Sequence, residues 1–258
     1  MVNFRTNNFK GFSLIFLFIF FITSFLFINA VKANNLPDAD QDGVPDKDEI
    51  EIYHTDPLKP DTDGDGYSDA VELRAGYSSL NAGQIKLEDS DYDNDGLSDM
   101  MELNFHSNLA NPDTDGDGYK DGEEIAGGFD PLQGDNIKLT KRIEINLAKQ
   151  ELSYFLSNTR LGVYTVSSGK YGTTSKGNFK IGSKSPKVWS PYGLWMPYWL
   201  GIAGQRFGIH ELPIWPSGYR EGADHLGRPV SHGCIRLGIG PAETIYKWAE
   251  VGTSVNIY

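Results

Sequence analysis

Four times between Asp38 and Glu124 the chain repeats one twelve-residue pattern, with Asp at places 1, 3, 5 and 9, Gly at place 6 and Glu at place 12. The copies are Asp38, Asp40, Asp42, Asp46 and Glu49 around Gly43; Asp61, Asp63, Asp65, Asp69 and Glu72 around Gly66; Asp91, Asp93, Asp95, Asp99 and Glu102 around Gly96; and Asp113, Asp115, Asp117, Asp121 and Glu124 around Gly118. From Asn34 to Asn136 there are 28 acidic residues against 5 basic ones, a balance of −23. Carboxylates at this density repel one another, so an apolar core alone cannot hold the segment together. It either stays disordered or is condensed by cations. Random acidity would not put glycine at the sixth place four times, which argues against a disordered linker.

The pattern suits calcium. Ca²⁺ takes roughly six to eight oxygens in flexible geometry, which alternating Asp side chains, a backbone carbonyl at place 7 and a two-oxygen Glu at place 12 supply. Gly at place 6 permits the sharp turn. Mg²⁺ fits less well because it gives up its water reluctantly. The stretches between loops, such as Ile50–Tyr53, Val71–Leu73 and Met100–Phe105, are long enough for one or two helical turns, and Asp56-Pro57, Asn111-Pro112 and Asp130-Pro131 then break the chain. The apolar or aromatic side chain sits at place 7 (Val44, Tyr67, Leu97, Tyr119) rather than at place 8 as in EF-hands. With flanks too short for helix pairs, the segment from Asp38 to about Asp135 resembles thrombospondin type 3 repeats. That resemblance implies structural Ca²⁺ in place of a core, with folding and binding as one process.

The ends of the chain have other textures. Residues 1–33 carry Arg5, Lys10 and Lys32 around an apolar run at 12–28, followed by Val31-Lys32-Ala33. This reads as an export signal cleaved after Ala33, with a retained membrane anchor through 12–28 as the alternative. Either way the remainder is expected outside the cytoplasm, periplasmic or associated with the cell wall. Residues 137–258 hold 7 acidic and 15 basic residues, a balance of +8; with +3 from the first 33 residues this gives the overall −12. Ile143–Leu147 and Leu152–Leu156 alternate like strands around an Ala148-Lys149-Gln150 turn, Leu161–Val166 and Phe179–Ile181 continue the β pattern, and only Pro241–Glu250 reads as helix. The expected organisation is a leader at 1–33, a small calcium-stabilised repeat segment with short helices at 34–136, and a mainly β domain with one or two helices at 137–258.

Cys234 is the single cysteine. It cannot form an intrachain disulfide, and in an exported chain it is either a buried apolar side chain or a reactive thiol. Its setting favours reactivity: Ser231-His232-Gly233-Cys234-Ile235-Arg236-Leu237 stands downstream of Phe207-Gly208-Ile209-His210. A thiol attacks acyl carbons as the thiolate, a neighbouring imidazole can take its proton, and amides around Gly233 and Cys234 can hold an oxyanion.

This string resembles the signature of the L,D-transpeptidase catalytic domain over roughly Lys141–Tyr258. The likeness extends to Ser167-Ser168-Gly169-Lys170, Gly177-Asn178-Phe179, Leu226–Val230 and Gly252–Val255. It implies a β-sandwich or barrel with Cys234 as nucleophile, His210 as general base oriented by the Glu211 carbonyl, and His232 and Gly233 shaping the site. Ser231 and Arg236 are implied at the substrate, with Arg236 either meeting a substrate carboxylate or bracing its loop. Two departures stand out: Thr174-Ser175-Lys176-Gly177 replaces the family's Thr-Pro-X-Gly turn, and the stretch from His210 to Ser231 is long, with Pro213-Ile214-Trp215-Pro216 as lid material. His225, within that stretch, is a less favoured base. His54 and His106 read as solvated, and the tryptophans near His210 read as core or groove rim.

The implied activity is acyl transfer on peptidoglycan stem peptides, forming 3→3 cross-links through a Cys thioester. Carboxypeptidase action or protein attachment to the wall are alternatives on the same site. Calcium is expected only in the repeats, catalysis needs no cofactor, and no nucleic-acid partner is expected. An inactive calcium-dependent wall-binding or adhesion protein, or a cysteine hydrolase of unrelated substrate, would be the rival; the intact His210, His232, Cys234 and Arg236 set argues against an inactive protein.

Overall fold

The computed structural model describes residues 36–134 and 137–258. The expected leader and anchor stretch lies outside the described residues. Among the described residues no helix is long and apolar enough to cross a membrane.

In each acidic loop the carboxylates organise the backbone. The place-5 carboxylate accepts the N–H of place 7, at 2.7 Å for Val44, 2.9 Å for Tyr67, 2.6 Å for Leu97 and 2.9 Å for Tyr119. The place-6 glycines Gly43, Gly66, Gly96 and Gly118 sit at φ of +102°, +102°, +98° and +97°, where an L side chain is strained. A short helix follows every loop: α1 Asp46–Asp48, continuing into a π turn at Glu49–Tyr53, then α2 Asp69–Ala75, α3 Asp99–Phe105 and α4 Asp121–Gly127. Each ends on a left-handed residue: His54, Gly76, His106 or Gly128. The first cap falls five residues after its Glu and the others four, and the π turn absorbs the extra residue. His54 and His106 therefore close helices; His54 is half-buried and His106 exposed.

The C-terminal half is a closed eight-stranded barrel. Its strands are β1 Lys141–Asn146, β2 Glu151–Leu156, β3 Thr159–Ser167, β4 Gly177–Trp189, β5 Trp195–Ile202, β6 Gly208–Glu211, β7 Ile235–Leu237 and β8 Ser254–Ile257, in the order β1-β2-β3-β7-β6-β5-β4-β8. Alternation turns Ile143, Ile145, Leu152, Ile209, Ile235, Leu237, Val255 and Ile257 inward, all buried. Helix α5, Pro241–Trp248, begins on a proline suited to the first helical turn and packs against β5 and β6. The mainly β domain with few helices is as expected.

Residues Pro37–Tyr258 form one compact unit. The reason is a second apolar cluster: Leu97, Phe105 and Ile125 of the third and fourth repeats pack on Leu156 of β2, with Met101, Leu139 and Leu161 around them. These residues of the third and fourth repeats thus share the outer wall of the barrel. The Thr159 hydroxyl on β3 also donates to the Asn104 carbonyl of α3 at 3.2 Å.

Candidate functional site

Two short neighbouring strands bring the site together. β6 and β7 run parallel, with Ile209 opposite Ile235 and His210 opposite Arg236. Cys234 stands just before β7, two residues from Arg236, and its sulfur takes a backbone hydrogen bond from Gly208 at the start of β6. Cys234, His210, His232, Ser231 and Arg236 line one cleft with Tyr192, Leu194, Met196 and Pro213.

His210 is 2% exposed. Its Nδ1 lies 2.5 Å from the Glu211 carbonyl oxygen, which fixes Nδ1–H as donor and leaves Nε2 to accept a proton. Trp199 stacks on the ring, centroids 5.9 Å apart. Burial, and then the positive charge of Arg236, lower the imidazole's pKa to about 3. Burial pushes the half-buried Cys234 thiol up, opposed by a backbone hydrogen bond from Gly208 and by Arg236. Both shifts favour the neutral forms, thiol and imidazole.

The remaining signature residues divide by role. Gly233 donates its N–H to Ser231 Oγ at 3.0 Å, and that hydroxyl donates to the Cys234 carbonyl at 2.6 Å. Ser231, 0% exposed, is thus committed to the loop rather than open to substrate, and the Gly233 amide is not free to hold an oxyanion. His232 is exposed and stacks on Tyr192, centroids 4.1 Å apart, forming a wall of the cleft. Arg236 Nη1 meets Glu221 at 2.6 Å, the arginine buried and the glutamate nearly so, and thereby braces the 212–230 stretch. A second pair, Arg220 with Glu211, ties the same stretch to β6. His225 Nδ1 lies 3.2 Å from Glu221 and is absent from the cleft lining, which leaves His210 as the base candidate. Trp195 and Trp199 lie on β5, and Trp189 and Trp215 are partly exposed.

The acidic loops gather their place-1, -3 and -5 carboxylates: in each of the triads Asp38/Asp40/Asp42, Asp61/Asp63/Asp65, Asp91/Asp93/Asp95 and Asp113/Asp115/Asp117, oxygens lie within 4.8 Å of one another. Buried carboxylate oxygens without hydrogen-bond partners occur in all four: Asp40, Asp63, Asp93 and Asp115 each have one, and Glu49, Glu72, Glu102 and Glu124 have one or two. Burial and the surrounding Asp charges raise Glu49, Glu72 and Glu124 to about 7 and Glu102 to about 9. Buried acceptors with no donor, held against mutual repulsion, fit a hard divalent cation. Asp46, Asp69, Asp99 and Asp121 accept the N–H of place 2 (Ala39, Thr62, Tyr92, Thr114) at 2.7, 2.9, 3.0 and 2.9 Å. They close the loops from behind and stand outside the triads.

Comparison with known proteins agrees with both halves. Residues 140–257 match the family model of the L,D-transpeptidase catalytic domain. Residues 38–60, 61–76, 91–108 and 113–134 match the bacterial TSP3 repeat. The chain is 28% identical over 117 residues to the YkuD protein of Bacillus licheniformis, an L,D-transpeptidase by name, covering 45% of this chain and 64% of that one. It is 30% identical over 104 residues to the YkuD protein of Bacillus subtilis, named likewise, covering 40% and 57%. It thus spans less than two thirds of either relative. Among solved structures, an L,D-transpeptidase from Mycobacterium smegmatis is 20% identical with a TM-score of 0.40, covering 48% of this chain and 60% of that one. The chain carries an L,D-transpeptidase catalytic domain behind bacterial TSP3 repeats, as both resemblances implied.

Proposed function

We propose that this chain is an exported peptidoglycan L,D-transpeptidase working through a Cys234 thioester, with Ca²⁺ held structurally in its four acidic loops. The observation that carries the reading is a half-buried thiol sharing a cleft with an imidazole whose Nδ1 is fixed at the Glu211 carbonyl, within a domain of matching family.

Sγ of Cys234 attacks the carbonyl carbon at the L-centre of the third, diamino residue of a donor stem. As the S–C bond forms, the thiol proton passes to His210 Nε2 and the carbonyl electron pair moves onto oxygen. The oxyanion collapses, the C–N bond to the terminal D-Ala breaks, and the departing nitrogen takes the proton from His210. A neighbouring stem's amine attacks the thioester and gives a proton to His210. The C–S bond breaks and the sulfur recovers that proton, leaving a 3→3 cross-link. Water in place of the amine gives L,D-carboxypeptidase action. Neutral resting forms suit this sequence, since a neutral imidazole is ready to accept a proton.

The test is purified protein incubated with tetrapeptide-bearing peptidoglycan fragments and followed by mass. The expected result is loss of D-Ala, a thioester trapped on Cys234 and a cross-linked product, all absent from Cys234→Ala. Identical fragments from both proteins would end the reading.

A further inference from the structure

We infer that Thr174, on the turn between β3 and β4, is a positioning residue whose buried hydroxyl aims the Cys234 backbone N–H into the cleft as the oxyanion donor. The inference rests on the acyl-transfer reading above and adds a residue to it. Thr174 is 3% exposed. Its Oγ1 accepts the Gly169 N–H at 2.8 Å and donates to the Gly233 carbonyl at 2.8 Å. An amide N–H can only donate and a carbonyl can only accept, so the single hydroxyl proton must point at Gly233.

The consequence follows from peptide geometry. In a planar trans peptide the C=O and the next N–H point in opposite directions. A Gly233 carbonyl held against Thr174 therefore turns the Cys234 N–H away from Thr174. Among the described residues no backbone or side-chain acceptor takes that N–H. The preceding amide is consumed at Ser231 Oγ, so of the two amides flanking the nucleophile one is free. The backing is tight as well as polar: a Cβ on Gly169 would lie 2.9 Å from Gly233 Cα. Gly233 itself takes φ +145°, a conformation that glycine allows.

The experiment separates the oxyanion from the thiol. Acylation of Cys234 by a 4-nitrophenyl ester passes through an oxyanion, whereas alkylation by iodoacetamide does not. Thr174→Val should lower the acylation kcat by about 10- to 100-fold, a part of what losing an oxyanion donor outright costs, with alkylation and KM unchanged. Thr174→Ser, which keeps the hydroxyl, should restore acylation. Should Thr174→Val not fold, Thr174→Ala is read the same way. Alkylation falling in step with acylation, acylation unchanged without the hydroxyl, or no rescue by serine would each overturn the assignment. Wild-type protein acylated by the ester but inert toward stem peptides would instead sink the transpeptidase reading and leave Thr174 in place.

Discussion

At the scale of single residues, burial holds His210 and Cys234 toward their neutral forms. His210 is lowered to about 3 by burial and Arg236, and Cys234 is pushed up by burial. A thiol with a raised pKa presents little thiolate at neutral pH, and below that pKa the thiolate fraction grows about tenfold per pH unit. Iodoacetamide alkylation of Cys234 in free enzyme should therefore climb steadily from pH 6 to 9. A rate already level across about pH 5–8 would reveal a standing thiolate–imidazolium pair and contradict this electrostatic picture. Substituting His210→Gln removes the acceptor at Nε2 and should lower turnover by roughly 10²- to 10⁴-fold, measured as D-Ala release. The nucleophile stood out as the single thiol of the sequence, and the base candidate and its orienting Glu211 carbonyl followed from the family resemblance. The anchoring of the Gly233 carbonyl was not legible. It depends on Gly169 and Thr174, some sixty residues upstream, meeting the Cys234 loop in space.

At the scale of elements, the 212–230 stretch is tied to β7 and β6 by two ion pairs, Arg236–Glu221 and Arg220–Glu211. The side chains of Arg236 and Glu221 are only 8% and 12% exposed, so removing one partner strands a buried charge. Glu221→Ala should cost about 3 kcal/mol of stability in urea titration, while Glu221→Leu combined with Arg236→Met should recover most of it. Equal loss in both would show that the pair contributes through packing alone. The acidic loops carry a similar division of labour. Asp115 has an orphaned oxygen in the fourth triad, whereas Asp121 closes that loop by accepting from Thr114 N at 2.9 Å. Asn retains an acceptor oxygen but not the charge, so Asp115→Asn should weaken Ca²⁺ binding more than Asp121→Asn in calorimetry. The reverse order would place the ninth position at the ion. The sequence pattern showed which residues recur but not which face of the loop each occupies. It likewise marked the β1–β2 hairpin and α5, but not β6 and β7, four and three residues long, which leave too little alternation to detect.

At the scale of the whole molecule, the acidic segment and the barrel are joined through apolar contact. From the sequence, chelation is expected to unfold the repeats and spare the catalytic domain, because the −23 charge is largely concentrated at the four loops. The packing argues otherwise. Leu156 on β2 is 0% exposed because Leu97, Phe105 and Ile125 cover it, and those three ride on the third and fourth loops. If ions hold those loops in shape, losing them bares part of the barrel wall to water. All five tryptophans lie between Trp189 and Trp248, so indole fluorescence reports the barrel while the ions sit in the repeats. EDTA should therefore lower the fluorescence-detected melting temperature, each 1 kcal/mol of lost stability appearing as about 2–4 °C. Leu156→Ala sharpens the test. In Ca²⁺ it should cost about 2–5 kcal/mol as a cavity in a packed cluster. In EDTA, with its covering residues already released, it should cost less, and the shortfall measures the coupling between repeats and barrel. A barrel melt indifferent to EDTA, with Leu156→Ala equally costly in both conditions, would restore the expectation of two independent halves.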